Sequence, residues 1–339
     1  MYFRALFVSL PLLWTGVAAF PAGQGPLTGN ATIYPRDDHR SIDRRAITLI
    51  ETYDKSNWLS KFNVLNIADP THGFVTYVSK AQAVAEGLLK SIGSQVYIGV
   101  DSKTVLDPNG AGRKSVRLES KRVYNRGLII ADFARIPGSN CGSWPAFWMF
   151  GPNWPNSGEI DIIEGVNLNT HNEVALHTSP GCTPTIGTGG EWGVRTGNKD
   201  CGADGGNEGC GVLSTSATSY GTGFNNYGGG VFATLWTSSG FKVWYFPTRN
   251  TPADIKAGKP DPSKWGKPAA NYAGCDFDAK FKNMKIVFDI TFCGDWAGAV
   301  WGESACAKKN PSCKGYVASQ PTAFASSYWL VNYVKVFSV

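Results

Sequence analysis

Three carboxylates lie close together in one short hydrophobic stretch, Gly158–Gly165, with the sequence GEIDIIEG. Isoleucine is β-branched and favours strands, and the side chains of a strand alternate between its two faces. In a regular strand Glu159 and Asp161 would share one face, whereas Glu164 would fall on the other. A β-bulge at Ile162–Ile163 would add one residue, reverse the phase of the strand, and return the third acid to the face of the first two.

Three carboxyl groups on one face repel one another unless at least one keeps its proton. An ionised carboxylate beside a protonated one is the pair that hydrolyses glycosidic bonds: one attacks, and the other protonates the leaving oxygen. On a flat strand Glu159 and Glu164 would lie on the order of 13 Å apart at ~3.3 Å per residue. Retaining enzymes need ~5–5.5 Å and inverting ones ~6.5–9.5 Å. We therefore predict a curved sheet with the acids on its concave side, where both glutamates lean inward; a solvated acidic strand face is the alternative.

Tryptophans crowd the segment before the acids. Trp144, Trp148 and Trp154 occur in CGSWPAFWMFGPNWPNSG. Sugars present apolar C–H faces for which flat aromatic rings are suitable platforms, although any single tryptophan can equally belong to the core. Trp154 lies in the loop-like GPNWPNSG and is the least core-like of the three. We expect Trp154 to bind sugar, with Trp148 as a second candidate.

Short runs of β-branched and aromatic residues, separated by Gly, Pro, Asn and Asp, dominate the rest of the chain and predict strands. The candidates are 74–79, 95–101, 115–120, 127–134, 146–150, 159–164, 172–178, 230–246, 285–292 and 327–337. The 230–246 run is expected to be a hairpin with Ser238-Ser239-Gly240 as its turn, and 254–266 is expected to hold a helical turn. Many short strands with frequent turns predict an all-β chain, folded as a sandwich or jelly roll of two antiparallel sheets.

The first 45 residues are expected to be removed from the mature protein. Arg4 precedes an apolar run that ends in small residues at 17 and 19, so residues 1–19 are typical of a signal peptide. Residues 20–45 are rich in Pro, Gly and charge and end in a dibasic pair, which indicates a pro-segment; a retained disordered tail is the alternative. Residues 46–339 can bury a core as one domain, and no later apolar run reaches the roughly 18 residues of a membrane helix.

The cysteine count agrees with secretion. Eight cysteines behind a signal peptide indicate disulfide bonds. Cys201 and Cys210 flank the Gly-rich loop CGADGGNEGC, so a local bond between them is plausible, but eight cysteines allow 105 pairings and none is assigned. A zinc site is not expected, because the sequence contains no CxxC. The formal net charge of +6 is not gathered into Lys/Arg clusters, so nucleic acid is not an expected partner.

The stretch GEIDIIEG resembles the signature of glycoside hydrolase family 16, in the E-x-D-x-x-E form that carries the bulged residue. The longer SWPAFWMFGPNWPNSGEIDIIEGVN is similar to fungal endo-1,3(4)-β-glucanases of the laminarinase type, as are EVALHTSPGC and ITFCGDWAG. The resemblance covers roughly residues 50–339. It implies a β-jelly roll whose concave sheet forms an open cleft for a linear polysaccharide.

The resemblance also implies roles for single residues. Glu159 matches the nucleophile, Glu164 matches the general acid/base, and Asp161 matches the aspartate that assists the nucleophile. His177, in ALHT, matches a histidine on the neighbouring strand; a satisfied structural histidine is the alternative.

Two further matches lie outside the acidic strand. Trp296, in CGDWAG, matches a tryptophan at the cleft of the family. Arg117, in SVRLES, resembles a substrate-binding arginine, although Arg122 lies close by and a surface ion pair is the alternative for either.

These observations predict a secreted, retaining endo-β-glucanase that hydrolyses β-1,3 and mixed β-1,3/1,4 glucans by double displacement. The alternatives are a β-glucan transglycosylase and a glucan-binding lectin without activity; the presence of all three acids disfavours the lectin. We expect a monomer whose partner is the polysaccharide, with no cofactor, no metal and no membrane association. The long Gly-rich stretch 182–230 is expected to form loops that set the linkage preference.

Overall fold

The computed structural model describes residues 47–186 and 192–339. The predicted signal peptide, 1–19, and pro-segment, 20–45, lie outside the described residues. Within the described ranges, no helix combines the length and apolar character that crossing a bilayer requires.

Strands make up most of the fold: the described residues form eighteen of them, most no longer than eight residues. In chain order they are β1 (Thr48–Tyr53), β2 (Phe62–Leu65), β3 (Val75–Tyr77), β4 (Leu89–Ile92), β5 (Gln95–Gly99), β6 (Arg113–Ser115), β7 (Arg117–Ser120), β8 (Gly127–Arg135), β9 (Ser143–Phe150), β10 (Glu159–Glu164), β11 (Glu173–His177), β12 (Val194–Gly197), β13 (Cys210–Leu213), β14 (Gly230–Thr237), β15 (Gly240–Pro247), β16 (Ala270–Ala273), β17 (Lys285–Phe292) and β18 (Tyr328–Ser338).

Helical segments are short and lie in the connections. The α-helices of the described residues are α1 (Trp58–Lys61), α2 (Lys80–Ala85), α3 (Gly221–Asn226), α4 (Ala253–Lys256), α5 (Phe277–Lys280) and α6 (Cys313–Ser319). Other helical turns occupy Ala203–Gly206, Thr248–Asn250, Pro262–Lys264, Gly294–Gly298, Trp301–Glu303, Ala305–Lys308 and Pro321–Phe324.

Two large antiparallel sheets form a jelly-roll sandwich, as predicted. The acid-bearing sheet has the strand order β12-β13-β11-β10-β9-β17-β7-β2, so the acidic strand β10 lies near its middle. The second sheet has the order β16-β15-β14-β8-β18-β5-β4, with β1 also paired to β18. A small parallel pair joins β3 to β6.

An aromatic cluster fills the space between the sheets. Phe133 and Trp329 of the second sheet meet Phe147 and Phe288 of the acid-bearing sheet, with ring centroids 4.7–6.2 Å apart. Such contacts add to the free energy gained from burying the rings. Because side chains alternate along a strand, an inward Phe147 turns its neighbours on β9 to the opposite face. We call this face, turned away from the core, the open face.

Each predicted strand run contains a strand, and the hairpin is present as β14 and β15. The 254–266 stretch contains α4 and a further helical turn, as expected. The sequence patterns missed strands β1, β2, β4, β12, β13 and β16. Most of these have four residues, too few to show the period of two on which the prediction depends.

The expectation of a loop from 182 to 230 was wrong in part. Two strands, β12 and β13, lie in this stretch and extend the acid-bearing sheet beyond β11. Glycine weakens a strand pattern but does not forbid a strand when neighbouring strands supply hydrogen bonds.

Four disulfide bonds use all eight cysteines. The local Cys201–Cys210 bond that the sequence made plausible is present. The others join Cys141 to Cys306, Cys182 to Cys275, and Cys293 to Cys313. The first of these closes a separation of 165 residues and attaches the segment after β17 to the start of β9. A cross-link of that span removes many conformations from the unfolded chain.

Candidate active site

The bulge predicted in β10 is present at Ile162. Asp161 lies opposite Trp148 of β9. The next β9 residue, Phe147, lies opposite Ile163, so Ile162 is the extra residue. The phase of the strand reverses there, and the isoleucines on both sides of the bulge are fully buried in the core. The third acid is thereby returned to the open face with the first two.

Asn172 occupies the backbone gap that the bulge leaves. Its Nδ2 donates to the carbonyl of Ile162 at 2.8 Å, and its Oδ1 accepts from the backbone N–H of Glu164 at 3.0 Å. Asn172 is itself buried, and its own N–H donates to Ser219 Oγ. Buried backbone groups without partners are costly, so this one side chain stabilises the bulge and fixes where Glu164 emerges.

His177 lies beside the acids on β11. Its Nε2 is 3.3 Å from Asp161 Oδ2, and its Nδ1 donates to the carbonyl of Gly206 at 2.6 Å. Burial lowers the pKa of His177, but the hydrogen bond to Asp161 and the charges of Asp161 and Glu159 outweigh burial and raise that pKa to about 10. With an acceptor at both ring nitrogens, His177 is an imidazolium at neutral pH.

Glu164 is nearly enclosed on the open face. Its Oε1 accepts a hydrogen bond from Trp144 Nε1 at 2.8 Å. Burial and then the like charge of Asp161 raise the pKa of Glu164 well above its ordinary value, although the bond from Trp144 and the His177 charge lower it. A carboxyl group in this setting keeps its proton at neutral pH, as a general acid must.

Glu159 lies directly opposite His177. Burial and the charge of Asp161 raise the pKa of Glu159 to about 8, while His177 and a hydrogen bond from the Trp154 side chain lower it. The cluster thus holds three carboxyl groups against one cation. It can retain a proton on one glutamate and ionise the other, which is the arrangement that glycosidic bond cleavage requires.

Comparisons with known proteins agree with this geometry. Residues 62–337 match the family described as "XgeA-like, catalytic GH16 domain". The chain belongs to glycoside hydrolase family 16. A probable endo-1,3(4)-β-glucanase of Aspergillus fumigatus is 46% identical over 296 residues, which cover 85% of this chain and 45% of that protein. The chain thus spans about half the length of the curated relatives it matches.

Two solved family 16 structures resemble the fold closely. One, an elongating family 16 β-1,3-glucosyltransferase, has a TM-score of 0.81 at 43% identity. The other, Laminarinase 16A from Phanerochaete chrysosporium with 6-O-glucosyl-laminaritriose in donor and acceptor sites, has a TM-score of 0.78 at 38% identity. Each comparison covers 86% of this chain and all of the solved one.

Trp154 and Trp296, predicted from the sequence, both lie near the acids of this family 16 site. Trp154 is 40% exposed and reaches Glu159, and a cis peptide bond joins it to Pro155. Trp296 is half-buried and meets the ring of Trp144 edge-on, with centroids 5.7 Å apart. Both rings therefore border the acidic cluster.

Arg117 is not brought next to the acids. It lies on β7, three strands from β10, and is 5% exposed. Its guanidinium contacts Asp289 at 3.2 Å and Glu119 at 3.3 Å, and it lies over the ring of Trp148 at 5.0 Å. Arg117 therefore forms an ion pair, as the alternative interpretation expected, but the pair is buried and not on the surface. The guanidinium packs against the Trp148 ring and supports it.

Sequence reasoning missed two residues that shape the site. Trp144 was named in the aromatic lead-in but was not assigned to the acids, although it shares a face of β9 with Trp148 four residues later. Asn172 was not singled out at all. A buried asparagine opposite a bulge leaves no local pattern, so only its tertiary contacts reveal it.

Glu159, Asp161 and His177 form the group of potential metal ligands found among the described residues, with ligand atoms within 4.8 Å of one another. Metal binding needs a neutral imidazole. In this structure the carbonyl of Gly206 and the carboxylate of Asp161 lie against the two ring nitrogens of His177, so the contacts are those of a hydrogen bond and an ion pair.

Proposed function

We propose that this family 16 chain hydrolyses β-1,3 and mixed β-1,3/1,4 glucans by a retaining double displacement. The observation that carries the proposal is the bulged strand β10, which sets Glu159, Asp161 and Glu164 on one face beside a protonated His177. The names of the relatives support the substrate class, since the A. fumigatus relative is a probable endo-1,3(4)-β-glucanase.

In the first step Glu159 attacks the anomeric carbon as a carboxylate. Glu164 transfers its proton to the glycosidic oxygen, so the leaving sugar departs as an alcohol and a covalent glycosyl-enzyme forms. In the second step Glu164, now ionised, takes a proton from water, and the hydroxide attacks the same carbon and frees Glu159. Both carboxyl groups return to their starting protonation states.

Asp161 and His177 stabilise the charge of the two glutamates during these steps. The His177 imidazolium faces the carboxylates and stabilises the negative charge that moves from Glu159 to Glu164 during each turnover. Asp161 holds that imidazolium in place at 3.3 Å. Trp154, Trp296 and Trp148 supply flat surfaces for the sugar rings, and we assign Arg117 to the support of Trp148.

Release of reducing ends from laminarin, lichenan, carboxymethyl cellulose and agarose tests the proposal, with Glu159→Gln assayed beside the parent chain. We expect release from laminarin and lichenan only, and loss of activity by ~10⁴-fold or more in the variant, because it lacks the nucleophile. If the variant unfolds at the same temperature as the parent, the loss of activity is due to the missing nucleophile and not to a loss of structure. Activity retained by Glu159→Gln would contradict the assignment.

Transglycosylation is the second candidate. The observation that favours it is the 43% identity to an elongating β-1,3-glucosyltransferase. The same glycosyl-enzyme would then be attacked by a sugar hydroxyl instead of water. Oligosaccharides longer than the substrate, detected by mass spectrometry at high substrate concentration, would identify this activity. Glucan binding without any product would instead support a lectin.

Secretion is part of the proposal. The four disulfide bonds fit an oxidising compartment. We infer that the chain acts outside the cell as a monomer on polysaccharide. Protein recovered from the culture medium, with its N-terminus sequenced, would test both export and the cleavage expected near residue 45.

A further inference from the structure

The path of a bound glucan follows from the placement of the two catalytic glutamates, and this inference rests on the proposed function. Glu159 and Glu164 are spaced along β10 and must lie on either side of the bond that they cleave. The sugar chain must therefore cross the strands instead of running along them. On one side of β10 it passes over β9 and the tryptophans already described. On the other side it passes over β11, β13 and β12.

A row of side chains continues from Glu164 across these outer strands. Glu164 lies opposite Glu173 of β11, Glu173 lies opposite Leu213 of β13, and Leu213 lies opposite Val194 of β12. Residues directly opposite one another share a face of the sheet. The row therefore lies on the open face.

Trp192 extends this open-face surface past the end of β12. Thr215 Oγ1 donates to the carbonyl of Trp192 at 2.7 Å, and the Trp192 N–H donates to the carbonyl of Pro268 at 2.9 Å, so the backbone of Trp192 is held beside the ends of β12 and β13. A Cβ on Gly193 would meet the buried side chain of Val212, so Gly193 faces the core. Its neighbours, Trp192 and Val194, therefore face the open side.

The exposure of these two side chains is unusual. Trp192 is 64% exposed and Val194, the first residue of β12, is 59% exposed. Lys267 Nζ lies over the Trp192 ring at 5.4 Å from its centroid, so the indole is held from one side. Adjacent exposed apolar side chains mark binding surfaces more often than isolated ones do.

Polar groups complete the surface. Glu173 accepts a hydrogen bond from Thr196 Oγ1, and the two side chains cross above Gly211, where a Cβ would lie within 2.4 Å of both. A carboxylate and a hydroxyl beside an apolar strip match the two surfaces of a glucose ring, which has hydroxyl groups at its edge and C–H groups on its faces. The surface is also continuous with the site that holds Glu164.

We propose that Trp192, Val194, Leu213 and Glu173 form a distal subsite that binds a remote segment of the same β-glucan chain. Three strand spacings separate β12 from β10, about 14 Å at ~4.8 Å each. Only substrates with several glucose units beyond the cleaved bond reach Trp192. The distal subsite therefore selects long chains and leaves short ones unaffected.

The test compares kcat/KM of the full chain for laminari-oligosaccharides from the trisaccharide to the octasaccharide. Trp192→Ala should lower kcat/KM for the longest members by about tenfold, because a sugar face no longer covers the ring, and should leave the trisaccharide unchanged. Trp192→Phe should restore most of the loss. Glu173→Gln should also act on long substrates alone. Tyr227→Ala is the matched control, since Tyr227 is an exposed aromatic on the connection into β14 of the second sheet.

Equal kcat/KM for the parent and Trp192→Ala at every chain length would overturn the distal subsite while leaving the proposed function intact. A parent chain that cleaves none of the oligosaccharides would instead refute the proposed function. Sedimentation of the parent as a dimer that Trp192→Ala converts to a monomer would also overturn the inference, because the surface would then bind a second copy.

Discussion

His177 carries the positive charge that offsets the repulsion among the three carboxyl groups of β10. The imidazolium lowers the pKa of both Glu159 and Glu164, opposing the burial and the Asp161 charge that raise them. Without it, three buried carboxyl groups would face one another with Trp144 and Trp154 as their polar partners. From the sequence alone, His177 could have been a structural histidine. In the structure it affects the pKa values of the acids.

Replacement of His177 by Gln should move the acidic limb of the pH profile of kcat/KM to higher pH. That limb reports ionisation of the nucleophile in the free enzyme. Loss of a facing cation raises the pKa of Glu159, by about one unit for a partly screened pair. The measurement is kcat/KM on laminarin from acidic to alkaline pH.

His171→Gln is the control for this change, because the His171 ring forms an exposed hydrogen bond with Thr170 Oγ1. It should leave the profile unchanged. An unshifted profile in His177→Gln would show that the imidazolium does not act on Glu159.

The bulged strand is the element on which the site depends. One added residue, Ile162, brings Glu164 to the open face while the isoleucines remain in the core. The bulge in turn depends on a side chain from the next strand connection, since Asn172 pairs with the backbone of Ile162 and Glu164. Placement of the acid/base therefore requires a contact that the strand alone does not contain.

Asn172→Ala should lower the free energy of unfolding by about 2–4 kcal/mol, because it leaves two buried backbone groups without partners. It should also lower kcat more than KM, since Glu164 would no longer be held at its position. Urea unfolding and steady-state kinetics measure the two effects.

Asn109→Ala, at an exposed loop position, is the matched control and should change neither quantity by much. Asn172→Asp keeps the acceptor for the Glu164 N–H but places a buried carboxyl oxygen against the carbonyl oxygen of Ile162, so it should be no more stable than Asn172→Ala. Full stability in Asn172→Ala would mean that water replaces the side chain at the bulge.

Across the whole molecule, several buried groups hold protons that the unfolded chain would release. Burial raises the pKa of Asp289 to about 7 from 3.8, although the adjacent Arg117 opposes it. Burial and the charge of Asp161 raise the pKa of both Glu159 and Glu164, so this pair shares a retained proton, and the pKa of His177 rises as well. For each group the folded pKa exceeds the unfolded one. The stability that these protons contribute is therefore complete below the unfolded pKa and is lost as pH rises through the folded pKa.

The unfolding temperature should consequently fall as pH rises from about 5 to about 9, since the folded state binds more protons throughout that range. Differential scanning calorimetry across the range measures the slope. Asp289→Asn should reduce the slope between about pH 4 and pH 7, where only the folded Asp289 keeps its proton. An unfolding temperature that rises with pH would contradict the proton balance described for the site.

The sequence by itself determined the strand-rich fold, the position of the bulge and the placement of three acids on one face, because these follow from patterns within a few neighbouring residues. Alternation, β-branching and the one-residue break in GEIDIIEG are all local. The Cys201–Cys210 bond was plausible from the sequence for the same reason, since nine positions separate the two.

Only the tertiary structure decided which distant side chains serve the acids. Trp144 meets Glu164 across 20 positions, and Arg117 meets Asp289 across 172, in pairings fixed by strand order and register. The same holds for β12, which became a strand because β13 supplied its hydrogen bonds. Such contacts depend on how the strands assemble. The local propensity of a segment to form a strand does not determine which other strand pairs with it.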